Sequence, residues 1–245
     1  MRLTRPSGQL STCVQGIWSA SVTRSAPVTK PLYSDAGSGV IFNLSGDLII
    51  GDQVMPEGVI MLPTKKTAEN IVMAPGAELA GIRFLPAVGY GVLGCHYDRA
   101  TLLLPEQDQG YGLHSIYNKL TEAIDADSRI EALYRWAATN LTTNKIVPGT
   151  LAAVLRSVER NQSLGKLDHS VELSQRQIER IFKQWLDMTP KHYQRILRVK
   201  KVIDFLKTHE AVGLADVAQQ FGFSDQAHMT REFRAIACVT PGSIQ

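Results

Sequence analysis

Arginine and lysine carry the chemistry of this chain, and they recur at spacings that gather them onto surfaces. Lys191, Arg195, Arg198 and Lys201 stand at i, i+4, i+7 and i+10, which places four cations on one face of a helix. Ser174 to Lys207 hold nine Lys/Arg against three Asp/Glu. Just upstream, Gln175, Arg176, Glu179, Arg180 and Lys183 form a polar helical set, and about fifty residues on Gln226, Ala227, His228, Thr230 and Arg231 form another. Groups of this kind suit anion recognition. Guanidinium forks match phosphate and the acceptor edge of guanine, and ammonium groups neutralise backbone charge. By itself a charge run is as well read as a solvated face, so the elements that carry these residues decide what they do.

Those elements repeat. Leu164, Leu167, Val171, Leu173, Ser174, Arg180, Phe182 and Thr189-Pro190 have counterparts in Leu214, Val217, Phe221, Phe223, Ser224, Arg231, Phe233 and Thr240-Pro241. The offset is fifty up to the serine and fifty-one after it, which places one inserted residue in the helix that each serine opens. In the second copy Leu214, Val217, Ala218 and Phe221 keep one apolar helix face, Gly222 ends that helix, and Ser224 caps the next, whose Met229 and Phe233 pack inward. In the first copy Ser174 and Gln177 make a capping box, and Ile178, Ile181, Phe182 and Trp185 supply the buried stripe. Each copy reads as a helix-turn-helix. Lys191 to about Thr208 lacks Pro and Gly, and its Tyr193, Ile196, Val199, Ile203 and Leu206 predict one long helix joining them. Beside two such units, the cations point to phosphate contact.

At this point the residues resemble the AraC/XylS-type transcriptional regulators. The resemblance covers roughly Pro148 to Gln245 and is strongest over Gly222-Phe-Ser-Asp-Gln-Ala-His-Met-Thr-Arg-Glu-Phe233 and Val239-Thr-Pro-Gly242. It implies two recognition helices placed in successive major-groove segments of double-stranded DNA. Arg176, Glu179 and Arg180 would then contact bases or backbone in the first unit, and Gln226, Ala227, His228, Thr230 and Arg231 in the second. Ser174, Gln175, Lys183 and Ser224 lie at the same surface, and Arg195 and Arg198 supply positive field near phosphates. The transcription machinery follows as a partner. Where the family usually has glycine before the Thr-Pro pair, this chain has Asp187 and Cys238. In a left-handed helix cap aspartate is tolerated, whereas cysteine is strained by about 1 kcal/mol. Glu172 stands where Gly222 stands in the second copy.

The rest of the chain fits an α+β protein in three parts: a β-rich sandwich or barrel over 1–112, a helical connector and linker over 113–147, and the double helix-turn-helix over 148–245. At 245 residues with 44% hydrophobic content, there is chain for a sizeable core. Residues 1–145 hold 12 Lys/Arg and 13 Asp/Glu, and 146–245 hold 14 and 10. The basic half is the repeated one. Val40 to Leu44, Asp47 to Ile50, Gly58 to Leu62, Asn70 to Met73 and Leu79 to Leu85 read as strands. Leu113, Ile116, Tyr117, Leu120 and Ile124, then Ile130, Leu133, Tyr134, Ala137 and Leu141, predict a helical hairpin broken at Asp125 to Ser128, with Ser128 to Glu131 as capping box. Packing against the β-domain is its default; a homodimer interface is the other use. Thr142 to Gly149 is the expected linker and Thr150 the cap of a helix using Leu151, Val154, Leu155 and Val158.

Within the β-rich half, Arg83 is the single charge in an apolar strand, and Arg83, Trp18 and Tyr33 are candidate effector contacts. The Gly81 to Pro86 and Gly91 to Gly94 segments are similar to regulatory domains attached to some family members. Only His96 and His114 lie in this half, and no G-x-S-x-G, P-loop or dinucleotide fingerprint occurs. Cys13, Cys95 and Cys238 lack C-x-x-C spacing. These features speak against an enzyme, a metal site or a cofactor. With no apolar leader or run of about 18 apolar residues, a cytoplasmic protein without membrane contact is expected. The function expected is sequence-specific transcription regulation under a small-molecule effector. From the residues alone a second class stays open, a small-molecule-binding or oligomerising protein whose helical half makes protein contacts.

Overall fold

The computed structural model describes residues 1–108, 110–141, 146–160, 173–209 and 212–244. The chain divides into two compact units, one of Met1–Lys30, Gly37–Thr64 and Asn70–Gly149, the other of Pro31–Ala36, Lys65–Glu69 and Thr150–Gln245.

The β-rich half contains ten described strands: β1 Arg2–Thr4, β2 Val14–Ser21, β3 Val28–Leu32, β4 Gly39–Ser45, β5 Leu48–Ile50, β6 Gln53–Met55, β7 Gly58–Leu62, β8 Glu69–Met73, β9 Glu78–Phe84 and β10 Thr101–Leu102. They form a six-stranded sheet in the order β1-β2-β9-β4-β7-β10 and a four-stranded sheet in the order β3-β8-β5-β6. All five expected strands are present, within a residue or so at each end. The central strand β4 is buried along both faces. Val40, Phe42 and Leu44 join one core cluster with Val59, Met61, Ala80, Ile82 and Phe84. On the opposite face Asn43 donates to the Met55 carbonyl of β6 at 3.4 Å. Period-two alternation thus serves two apolar layers, which is why β4 carries apolar residues at most positions.

A short helix α1, Val88–Leu93, follows β9. The predicted hairpin is α2, Leu113–Glu122, and α3, Ala126–Asn140. Leu113, Ile116, Leu120, Leu133, Trp136 and Ala137 bury against the sheet cluster, so the connector is part of the core of the β-rich unit. The Trp136 indole N–H donates to the Tyr111 carbonyl at 2.7 Å. Two details differ from expectation. The cap of α3 is Asp125, whose carboxylate accepts the Ser128 N–H at 2.8 Å; Ser128 lies inside the first turn, because aspartate caps as well as serine and comes first. Ile124 falls after α2 has ended and is 96% exposed.

The second unit holds α4 Gly149–Glu159, α5 Gln175–Leu186, α6 Pro190–Leu206, α7 Leu214–Gln220 and α8 Gln226–Ala237. Helix α4 starts one residue before Thr150 and buries Leu151, Val154, Leu155 and Val158 as expected. Of the first repeat, Leu164, Leu167, Val171 and Glu172 lie outside the described residues, as do 142–145 of the expected linker. Helix α6 is the long joining helix, about 25 Å at 1.5 Å per residue. It is capped by Thr189 with Pro190 in its first turn, and Tyr193, Ile196, Val199, Val202, Ile203 and Leu206 are buried along it. Among the described residues no helix is long and apolar enough to cross a membrane.

Candidate nucleic-acid interface

Helices α5 and α8 are twelve residues each and start fifty-one residues apart. Helix α5 has the expected capping box, with the Gln177 N–H reaching Ser174 Oγ and Gln177 Oε1 accepting the Ser174 N–H at 2.7 Å. Helix α8 differs. Its cap is Asp225, which accepts the His228 N–H at 2.6 Å, and Ser224 precedes it. The inserted residue therefore sits at the helix entrance, where a capping aspartate absorbs it, and the two helices keep equal length and register. The turn before α8 is closed by Gly222 at φ +73°, with Phe223 N–H bonded to the Ala218 carbonyl at 2.9 Å and Gly222 N–H to Gln219 at 3.1 Å. This is a Schellman ending, which requires the left-handed residue that glycine supplies.

Apolar spacing sets which side chains each helix buries. Ile178, Phe182 and Leu186 of α5 and Met229, Phe233, Ile236 and Ala237 of α8 turn inward. Ser174, Gln175, Arg176, Glu179, Arg180 and Lys183 are exposed on α5, and Ser224, Gln226, Ala227 and Arg231 at α8. His228 and Thr230 are half-buried and hold the helix start. The His228 ring lies edge-on to Phe223 with Nδ1 3.0 Å from Ser224 Oγ, and Thr230 Oγ1 donates back to the Gln226 carbonyl at 2.9 Å. Gln175 donates to Glu179 at 3.0 Å.

The cations of α6 divide between two tasks. Lys191 and Lys201 are exposed, and Lys201 donates to the Glu159 carbonyl at 3.1 Å. Arg195 instead grips Glu232 of α8 through Nε and Nη2, at 2.7 and 3.1 Å. Burial alone would lift the Glu232 carboxyl, but this guanidinium outweighs it and holds it below its ordinary value. Arg198 lies 5.3 Å over the Phe223 ring and donates to the Gly222 carbonyl at 3.3 Å. It pins the turn that aims α8, and with Gln194, Lys201, Gln220, Phe221 and Gly222 it lines a polar recess of about 320 Å³. Tyr193 is buried beneath α5 and donates to Glu159 at 3.0 Å; burial, then the adjacent Glu159 carboxylate, push its phenol far above the usual range.

Asp187 and Cys238 end α5 and α8 in left-handed conformation, at φ 51° and 57°. Asp187 bonds Lys183 one turn back and Lys66 at 2.7 Å. Those cations, Lys183 first, hold its carboxyl at about 2.

The candidate effector residues fall in both compact units. Trp18 on β2 and Arg83 on β9 are diagonal neighbours on one sheet face, since Trp18 pairs with Gly81 and Arg83 with Gly16. The Trp18 ring occupies the space above Gly81, where a Cβ would meet it at 2.5 Å. Tyr33 belongs to the other unit, with Lys207 5.1 Å above its ring. Among the described residues no three His, Cys, Asp or Glu converge as metal ligands.

Residues 169–245 match the family model of a helix-turn-helix domain. No significant match is found among curated proteins. Among solved structures the chain is similar to ToxT from Vibrio cholerae, with 12% identity, 93% of this chain and 97% of that one covered and a TM-score of 0.49. It is also similar to unsaturated fatty acid bound ToxT from Vibrio cholerae strain SCE256, with 10% identity, 93% of each chain covered and a TM-score of 0.45. A transcriptional regulator with an AraC-type DNA-binding domain from Chromobacterium violaceum shows 26% identity over 39% of this chain and 88% of that one, with a TM-score of 0.36.

Proposed function

We propose that this chain is a member of the AraC/XylS family through its carboxyl-terminal helix-turn-helix domain, with α5 and α8 as its two DNA-reading helices. It is a DNA-binding transcription regulator; its family is one of regulators and not of enzymes. The observation that carries the assignment of the two helices is their equivalence. Both are capped at the amino end, both end in a left-handed residue, both pack on α6, and both present a polar face with exposed arginine. Arg176 and Arg180 on α5 and Gln226, Ala227 and Arg231 on α8 read base edges, with Glu179 and Lys183 beside them. Lys191 and Lys201 face phosphates. Arg195, Arg198, His228 and Thr230 act on DNA through the helices they hold in place. The β-rich unit senses a small effector, with Trp18 and Arg83 on the candidate face, and offers a surface for a second copy. The protein works in the cytoplasm.

The test is selection of bound fragments from a random DNA pool, followed by salt titration on the winning site and on random duplex. Arg176→Ala or Arg180→Ala is expected to cost about 1–3 kcal/mol at particular base positions. Binding that ignores both the substitutions and the salt concentration would support the rival reading, in which the helical half contacts protein.

A further inference from the structure

The segment Lys65–Glu69 runs through the connection after β7 to the first residue of β8, and it belongs to the compact unit of the recognition helices. It is short and internally tied. The Lys65 ammonium pairs with Glu69, and the Lys65 carbonyl accepts the hydroxyl of buried Ser34 at 2.6 Å. Its outward groups then reach the carboxyl ends of both recognition helices. At α5, Lys66 Nζ bonds Asp187 Oδ2 at 2.7 Å, while the Lys66 carbonyl lies 3.4 Å from His192 Nε2 at the start of α6. At α8, the Ala68 N–H donates to the Ile236 carbonyl at 2.7 Å, and Cys238 Sγ approaches the Ala68 carbonyl at 3.6 Å.

The last carbonyls of a helix have no partner within it, and Ala68 supplies one for α8. Asp187 and Cys238 are the carboxyl-terminal caps of α5 and α8. Both are non-glycine residues at positive φ, and both aim a side chain at the same five-residue segment. A glycine at either place would relieve the backbone but remove the contact.

We infer that Lys65–Glu69 is a positioning clamp: by tying the carboxyl-terminal caps of α5 and α8 to one segment, it sets the spacing of the two helices and so the separation of the two base blocks they read. Its positioning role rests on the reading of α5 and α8 as DNA-reading helices.

The test uses the full chain with Cys95→Ser, which leaves Cys238 as the exposed thiol, since Cys13 is buried. Lys66→Ala and Asp187→Asn are compared with a charge swap, Lys66→Asp with Asp187→Lys. The first readout, independent of DNA, is the alkylation rate of Cys238 by N-ethylmaleimide. Release of the anchor at α5 is expected to speed alkylation at the far end of α8 by about two- to fivefold, the range that an exposed ion pair supports, and the swap is expected to recover part of the parent rate, since Lys183 opposes a lysine at 187. The second readout is the affinity lost when one base pair is inserted between the two selected blocks. That loss is expected to shrink by about the same two- to fivefold in the single variants, with affinity for random duplex unchanged. Unchanged alkylation sinks the clamp. Faster alkylation with an unchanged insertion penalty sinks its positioning role. A salt slope reduced by about one in Lys66→Ala and not recovered in the swap makes Lys66 a phosphate contact instead. A parent that binds duplex DNA without salt dependence removes the regulator reading, and the positioning role with it, whereas unchanged alkylation in a DNA-binding parent removes the clamp alone.

Discussion

Arg195 and Glu232 meet as a two-pronged ion pair, Nε to Oε2 at 2.7 Å and Nη2 to Oε1 at 3.1 Å, across the joint between α6 and α8. Glu232 is the more buried partner, its side chain 17% exposed against 36% for Arg195. Removing the arginine leaves a carboxylate with little water to replace it. Arg195→Met is expected to lower stability in urea denaturation by about 1.5–3 kcal/mol, the range for hydrogen bonds to charged groups. Because Glu232 already neutralises Arg195, the salt slope of DNA binding is expected to stay near the parent value, unlike that of Lys191→Ala. A stable Arg195→Met protein with a reduced slope would return Arg195 to the phosphate-facing set.

That pair marks where the sequence stops being legible. The faces of α5, α6 and α8 were readable because their apolar residues recur at helical spacing, and a face is a local property. The partner of Arg195 is 37 residues away and the partner of Asp187 is 121 residues away, distances over which periodicity carries nothing. In the β-rich half, the apolar runs of β4, β7 and β9 stood out between turn residues. Strand β2 did not: Val14–Ser21 mixes Gln, Gly, Ser and Ala, and its burial comes from its place between β1 and β9. Helix α1 carries little helical signal in the sequence, because Gly89 and Gly91 lie within it. Both misplaced caps share one cause. A serine near Asp125 and near Asp225 is an equally good cap by residue type, and residue type alone does not choose between it and an aspartate a few residues earlier or one residue later.

Cys238 and Asp187 predict opposite responses to the same substitution. Both sit at positive φ, where a residue with a side chain is strained by about 1–2 kcal/mol and aspartate by less. Cys238 has only a weak sulfur contact to the Ala68 carbonyl to lose. Cys238→Gly is therefore expected to raise thermal stability, by up to about 1 kcal/mol once the flexibility of glycine in the unfolded chain is deducted. Asp187→Gly loses the bonds to Lys183 and Lys66 and is expected to be neutral or destabilising. Equal gains from both would show that strain alone governs these caps.

His192 gives the second unit a response to mild acid. Burial, ahead of every other influence, pulls its imidazole below the ordinary 6.5. The Lys66 carbonyl and the Glu232 carboxylate favour the protonated ring, while the Arg195 and Lys66 cations oppose it. The net shift is downward, so the unfolded chain takes up this proton first. The contribution of neutral His192 is complete above 6.5 and declines as pH falls from there through the lower folded value. Asp187, held at about 2 against an ordinary 3.8, keeps its contribution until well below that window. Thermal midpoints followed from about pH 7.5 to about pH 5 are expected to fall more steeply in the parent than in His192→Gln. Parallel curves would assign the acid response to other groups.

Arg129 tests how the helical hairpin is fastened to the β-sheet. Its side chain leaves α3, is 6% exposed, and bonds Glu78 at the start of β9, whose own side chain is 41% exposed. It also reaches the Ala123 carbonyl at 3.5 Å, and its Nε has no hydrogen-bond partner among the described residues. A buried cation with one nitrogen unsatisfied is a costly fastening, because desolvation offsets much of the attraction. The two partners should then respond unequally. Glu78→Ala strands the cation and is expected to cost about 3 kcal/mol, the lower end for breaking a buried pair, because Glu78 is partly wet. Arg129→Met removes the charge and fills similar volume beside Leu133, so it is expected to be neutral or stabilising. Urea denaturation followed by tryptophan fluorescence, to which Trp136 on the same helix contributes beside Trp18 and Trp185, reads both changes. If Arg129→Met proved as damaging as Glu78→Ala, the ion pair itself, and not the avoidance of a stranded charge, would be what holds the hairpin to the sheet.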